Sequence, residues 1–299
     1  MVGGVDNRAE VKDFLTTRRA KVSAAGAGLP DIGARRVPGL RRSEVAALAG
    51  ISVEYYAKLE RGALAGASPS VLDALARALQ LDDAERTHLH DLARAADGSS
   101  ALLRPRRRTT RRWTPRPSLQ WVLDAITAGP AIIRNGRMDL LASNALGRAM
   151  HASLYDSGAR DGSPPNFARY TFLDSDSHRF YPDWDTAADI AVAILRTEAG
   201  RDPHDKALHD LVGELSTRSP DFRRRWSSHD VRLHGAGTKT FQHEVVGDLE
   251  LAYESADLVS EPGLSLTVYA AEPASPTAQA LALLASWTAP DVTPATRPT

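Results

Sequence analysis

The feature that most constrains this chain is a glycine set between two short amphipathic runs, within residues 39–62. Before Gly50, Val45, Leu48 and Ala49 recur at i, i+3, i+4 spacing, and Ala46 and Ala47 keep that helix slim enough for a second to cross it closely. Gly50 takes the positive φ of a sharp turn at no steric cost. Ile51 plugs the corner and Ser52 is a good N-cap for the next helix. That helix buries Tyr56 and Leu59 and ends at Gly62.

Two short helices at a steep angle, joined by a tight turn, are a helix-turn-helix. In that arrangement the second helix enters the major groove of double-stranded DNA. Helical geometry turns Val53, Glu54, Tyr55 and Lys58 away from the buried Tyr56 and Leu59. With Ser52 at the helix start they are the candidates for contact with DNA, and Lys58 and Arg61 reach towards phosphates. Arg41 and Arg42 stand at the start of the preceding helix, where a guanidinium and a helix N-terminus both favour phosphate. Around this pair the pattern predicts helices over 11–25, 68–79 and 82–93, so that five helices fill residues 8–95. Ser68-Pro69 and Asp82-x-x-Glu85 supply their starts. The stretch Glu44-Val45-Ala46 through Leu59-Glu60-Arg61-Gly62, followed by Ser68-Pro69-Ser70-Val71-Leu72, resembles the phage-repressor-type (XRE/Cro) helix-turn-helix family. The pairs Arg41-Arg42 and Tyr55-Tyr56 resemble its MmyB-like branch. In the wider family a Gln is usual where Arg42 stands; Arg preserves a phosphate-contact role. A five-helix domain of this kind that binds protein instead is the alternative.

Charge supports the DNA reading once it is counted by segment. Residues 1–112 hold 20 Lys and Arg against 13 Asp and Glu, and residues 113–299 hold 17 against 24, so +7 and −7 cancel to an overall zero. Residues 104–112 alone carry six arginines. That run is either a basic arm on DNA or a solvated hinge. There is no cysteine, which removes disulfides and thiolate chemistry. No apolar run approaches a membrane span or a signal peptide, so a cytoplasmic protein without membrane association is expected.

The remainder reads as an α+β domain. A helix starts at Pro117. Residues 131–134 and 138–142 form a hairpin about Asn135-Gly136, and Asn144 caps the helix after it. Helical patterns cover 166–173, 185–199, 208–215 and 219–226. Three alternating strands follow at 238–245, 249–253 and 264–269, then a last helix over 277–287. Expected boundaries are a mainly α helix-turn-helix bundle at 1–98, a basic linker at 99–116, an α+β PAS-like domain with antiparallel sheet at 117–289, and a disordered tail at 290–299.

Tyr181-Pro182-Asp183-Trp184, Arg218-Ser219-Pro220-Asp221-Phe222, His229-Asp230-Val231, Gly237-Thr238-Lys239 and Ala285-Ser286-Trp287 resemble the ligand-binding domain of MmyB-like regulators. The resemblance implies a small apolar ligand, with a fatty acid as the best candidate. A carboxylate head needs a cation or several donors. Asn144, Arg179, Arg223, His229 and Tyr253 are candidates for it, and Trp184, Trp226, Phe172, Phe180, Leu140, Leu195 and Leu251 for the apolar wall. Each also has a plainer role open to it: Asn144 as a cap, the tryptophans as core.

Signals of catalysis are weak. His88 and His90 diverge on one helix, no Gly-x-Ser-x-Gly elbow or Gly-rich phosphate loop occurs, and no metal or cofactor is expected. The expectation is a homodimeric regulator, each subunit reading one half-site, with an effector in the second domain. A second domain that only dimerises or binds a partner, a DNA-tethered enzyme using His229 and Asp230, and a haem or flavin sensor are the rival readings.

Overall fold

The computed structural model describes residues 7–29, 39–97, 115–161, 164–203, 205–227 and 235–288. The basic run at 104–112, the tail at 290–299 and His229 lie outside them. Contacts divide the chain into two compact units. One comprises residues 1–108 with 192–233, the other 109–191 with 234–299.

The first unit opens with α1 (Asn7–Lys21), α2 (Arg42–Ala49), α3 (Val53–Glu60), α4 (Pro69–Ala78) and α5 (Asp83–Ala96). Ser52 caps α3 by accepting the Tyr55 N–H at 3.1 Å, and Ser68 and Asp82 cap α4 and α5. Gly50 ends α2 at φ 66, and its N–H reaches the carbonyls of Ala46 and Ala47. Val11, Phe14, Leu15, Leu40, Tyr56 and Leu59 sit in a core shared with Leu72, Leu75, Leu89 and Leu92. Helix α2 buries Val45, Ala46 and Ala49, whereas Leu48, expected in that stripe, is 40% exposed. The slim alanine face, and not the larger leucine, is what lets α2 lie against α3 and α4.

Three further helices, α11 (Trp184–Arg201), α12 (Lys206–Arg218) and α13 (Pro220–Ser227), carry the 192–233 segment of the first unit. The division falls inside α11, between Ala191 and Val192. Leu208, Leu211, Leu215 and Phe222 are buried there.

The second unit is built on an antiparallel sheet of order β2-β1-β5-β4-β3. Its strands are β1 (Ala131–Asn135), β2 (Leu140–Ser143), β3 (Ala236–His243), β4 (Gly247–Asp257) and β5 (Leu264–Ala270). Side chains alternate between the faces. Ala131, Ile133, Ala142 and Leu264 form an aliphatic outer layer with Leu119, Leu123 and Ile126 from α6 (Pro117–Ala125) and the residue after it. Of the helices α7 (Ala145–Met150), α8 (Ala152–Asp161), α9 (Phe167–Leu173) and α10 (Ser177–Phe180), α7 meets β1 and β2 and α10 meets β3, while α8 packs on α7 and α9 on α8 and α10; α14 (Pro276–Thr288) packs against α7 and β4. The β1–β2 turn is wider than the two residues expected. Met138 takes φ 66, and the Asn135 and Asp139 side chains bridge its neck. Helices α8 and α10 had no clear signal in the sequence.

Candidate functional site

The predicted DNA-facing surface is organised by a residue that sequence reasoning passed over. Glu60, the last residue of α3, is 1% exposed. It accepts hydrogen bonds from Arg19 Nε at 2.6 Å, from Arg42 Nε, and from the Tyr56 hydroxyl at 3.4 Å. Burial disfavours its ionised form, but the hydrogen bonds from Arg19 and Arg42 outweigh that and hold its pKa below the ordinary value. One buried carboxylate thus ties α1, α2 and α3 together. An acidic residue on the hidden side of a DNA-reading helix looks like a surface charge in sequence; only the two arginines brought from 41 and 18 residues away reveal its role.

Against that anchor the other face of α3 is open. Val53 is 42% exposed, Glu54 and Lys58 are exposed, and Tyr55 is half-buried. Ser52, Arg41 and Arg61 are exposed at the helix boundaries. Arg42 begins α2 with its side chain 55% exposed, so the guanidinium held by Glu60 still meets solvent. All eight predicted DNA-facing residues therefore lie along α3 or at the ends of α2 and α3.

The predicted ligand residues do not converge in the same way. Asn144 is saturated: Oδ1 accepts the N–H of Gly147 at 2.7 Å and of Ala131 at 2.9 Å, and Nδ2 donates to the carbonyls of Ile126 at 2.6 Å and Gly129 at 2.8 Å. It is a cap and a loop clamp, with no donor or acceptor left for a head group. Trp184 donates to the Thr171 carbonyl at 3.0 Å, stacks on His178 at 4.3 Å and meets Phe172 edge-on. Arg179 is exposed and pairs with Asp176 at 3.3 Å. Arg223 and Trp226 belong to the first unit. There Arg223 Nε donates to the Ser216 carbonyl, and Trp226 lies under Arg196 and against Phe222.

Tyr253 lies on the inner sheet face; Leu251 and Phe180 were expected near it, whereas Lys239, Phe241 and His151 were not. Register places Tyr253 beside Tyr269 and Gly237, Leu251 beside Lys239, and Leu249 beside Phe241. The Lys239 ammonium sits 4.6 Å from the Tyr253 ring centre. Burial draws the Lys239 pKa down to about 7, with the charge of Arg134 adding to the effect. Phe180 and Phe241, 5.3 Å apart, and Tyr181 continue the aromatic wall. His151 lies among them, and burial, with repulsion from Lys239 and His243, pushes its pKa down to about 3. The imidazole is therefore neutral at physiological pH.

Elsewhere in this unit a groove of about 1020 Å³ runs over Thr238, Thr240, Ala252 and Ala270 to the start of α14. Asp248, Glu250 and Glu272 border it and no basic residue does. Among the described residues, no group of His, Asp and Glu is arranged to hold a metal ion, and no helix is long and apolar enough to cross a membrane.

An exposed helix held on a slim-helix scaffold, joined in one chain to a sheet with an aromatic inner face, defines a DNA-binding protein with a separate binding domain. Comparison with known families agrees. A helix-turn-helix domain model matches residues 13–89, and the model of the MmyB-like transcription regulator ligand binding domain matches residues 115–284, more than half of the chain. The chain belongs to that family: it is a transcription regulator with a helix-turn-helix and a ligand-binding domain. Both matched domains are binding domains rather than enzymes. No curated protein sequence matches the chain.

Proposed function

We propose that this regulator binds a specific DNA operator as a homodimer in the cytoplasm and releases or tightens its grip when a fatty-acid-like molecule occupies the PAS-like second domain. The observation that carries the DNA half is the open face of α3 fixed by Glu60. Glu54, Tyr55 and Lys58 project from a helix whose other side is locked to α1 and α2. A rigid helix presents side chains to base edges without a large ordering cost. Glu60 engages Nε of Arg42, whose side chain remains largely exposed and supports a phosphate contact from the rest of the guanidinium.

The effector half is supported by the family's ligand-binding domain and by the aromatic inner face of the sheet. For the effector to regulate, its affinity must differ between the DNA-bound and free protein. Two measurements test the proposal together. Selection from random duplexes is expected to yield a near-palindrome with half-sites about one helical turn apart. Mass spectrometry of an organic extract of the purified protein is expected to yield a stoichiometric apolar acid. Selection without enrichment overturns the operator reading, and an extract that is empty overturns the fatty-acid reading.

A further inference from the structure

Two polar groups in the second unit, His151 buried and Lys239 half-buried, lack the partner their chemistry calls for, and both face the same aromatic wall. His151 is 1% exposed, and its Nε2 has no hydrogen-bond partner. Rings surround it: Phe167 at 5.1 Å, Phe180 at 5.8 Å, Tyr269 at 6.3 Å and Phe241 at 6.4 Å between centroids. A buried polar atom left unsatisfied is uncommon in a folded protein and marks strain or a missing binding partner. Lys239 is the second group. Among the described residues it forms no ion pair. The charge that acts on it is that of Arg134, another cation, and its ammonium rests on the Tyr253 ring. Lys239 stands two residues from Phe241 on the same face of β3, and the Phe241 ring is 6.4 Å from that of His151.

A cation without a counterion beside a neutral imidazole with an idle nitrogen is a receptor for an anion. We propose that Lys239 and His151 together hold the carboxylate head group of the effector, whose apolar body lies against Phe180, Phe241, Tyr181 and Tyr269. This rests on the reading of the second domain as an effector-binding domain. Lys239 supplies the charge-assisted hydrogen bond. His151, in the tautomer protonated at Nε2, supplies a second donor. The wide groove over the outer face of β3 and β4 does not suit an anion, because Asp248, Glu250 and Glu272 border it.

The titratable groups that face Lys239 are Arg134 from β1, Tyr253 from β4, Tyr269 from β5, His243 at the end of β3, and His151. Burial raises the pKa of Tyr253 and Tyr269, so neither is an anion near neutrality. In the empty protein Lys239 loses charge as pH rises through about 7. A bound carboxylate favours the ammonium, so binding takes up a proton and weakens with rising pH.

The test uses the full chain, stripped of bound lipid, with dodecanoate and dodecan-1-ol as probes in calorimetric titrations. Wild type is expected to bind the acid at least about tenfold more tightly than the alcohol near pH 6.5 and to lose that preference by about pH 9. Lys239→Met should abolish the preference while keeping the affinity for the alcohol, and His151→Phe should lower the affinity for the acid alone. Equal binding of acid and alcohol by wild type, or an unchanged preference in Lys239→Met, overturns the head-group site while leaving the effector reading standing. A pH-independent preference in wild type overturns it without recourse to any variant. Failure of wild type to bind either probe overturns the fatty-acid reading itself.

Discussion

Glu10 in α1 and Arg196 in α11, 186 residues apart, form a buried ion pair at 2.6 Å. Arg196 is fully buried, and its guanidinium also lies 4.3 Å from the Trp226 ring centre and donates to the Trp226 carbonyl. The ring of His88 is buried beside the same carboxylate, at 3.9 Å. The helix-turn-helix bundle is thus one compact unit with a segment drawn from within the matched ligand-binding region. Removing one member of such a pair strands a charge that has lost its solvation. Glu10→Ala is expected to destabilise the first unit by about 3–5 kcal/mol. Glu10→Leu combined with Arg196→Met should recover most of the loss, because neither leaves a charge behind. Urea unfolding curves of the single and double variants measure both effects, and equal destabilisation in all three would refute a pairwise role.

Glu60 makes the DNA-reading end sensitive to acid. Its pKa in the folded protein is held below the ordinary carboxylate value, so folding favours the ionised form. The stability this contributes is whole above the unfolded value and is lost as pH falls through the lower, folded value. Glu60→Gln should therefore be less stable than wild type at neutral pH, by about 1–3 kcal/mol, and the gap should close in acid. A difference in unfolding free energy that stays constant from neutral pH into acid would contradict the assignment.

Asn144 tests cap against ligand contact. Its amide satisfies two backbone N–H groups and two carbonyls. Asn144→Ala leaves several of these buried and unpaired, at about 1–3 kcal/mol each before relaxation. The expected outcome is a lowered melting temperature for the second unit with unchanged affinity for dodecanoate at temperatures where the variant is folded. A weakened affinity there would return Asn144 to the ligand site.

What the sequence disclosed follows from the range of the interactions involved. The turn at Gly50, the caps at Ser52, Ser68 and Asp82, and the alternation in the last three strands are local, and each was legible from spacing. The two loop glycines that bound the helix pair are also separable by what surrounds them. Gly50 has φ 66 and open space at its Cβ position, whereas Gly62 has φ 97 and a Cβ there would lie 2.5 Å from the Arg8 carbonyl oxygen. The proposed head-group site was less legible because its members come together only through the tertiary fold. Lys239 reaches Tyr253 across β3 and β4, and His151 arrives from the end of a helix. A lone lysine in an alternating strand reads as a solvent-facing residue, and nothing local says that its face is the inner one. Arg223 and Trp226, attractive by residue type, go to the other unit, because α13 packs with α12.

The two glycines give a prediction of their own. Gly50→Ala should cost about 1 kcal/mol, the strain of a left-handed backbone with a side chain, and leave DNA binding intact. Gly62→Ala should cost more, since the backbone of α1 must move to admit the methyl group. Thermal melts rank the two, and the opposite order would mean that α1 does not press on the end of α3.

Lys58, exposed on α3, and Tyr55, half-buried against the core, separate affinity from specificity. A lysine on a phosphate contributes to every sequence alike, through release of a counterion. Lys58→Ala is therefore expected to weaken binding to operator and random duplex by similar factors and to reduce the slope of log K against log salt by about one. Tyr55, in the first turn of α3, keeps part of its ring outside the core, and if that part meets base edges its substitution acts on the difference between sequences. Tyr55→Ala should lower affinity for the selected operator, by about 1–3 kcal/mol, while barely touching random DNA. Fluorescence anisotropy with both duplexes at several salt concentrations resolves the two patterns. A Lys58→Ala protein with an unaltered salt slope would take Lys58 off the phosphate backbone. A Tyr55→Ala protein that keeps the wild-type ratio of operator to random affinity would mean that the bases are read by other residues of α3.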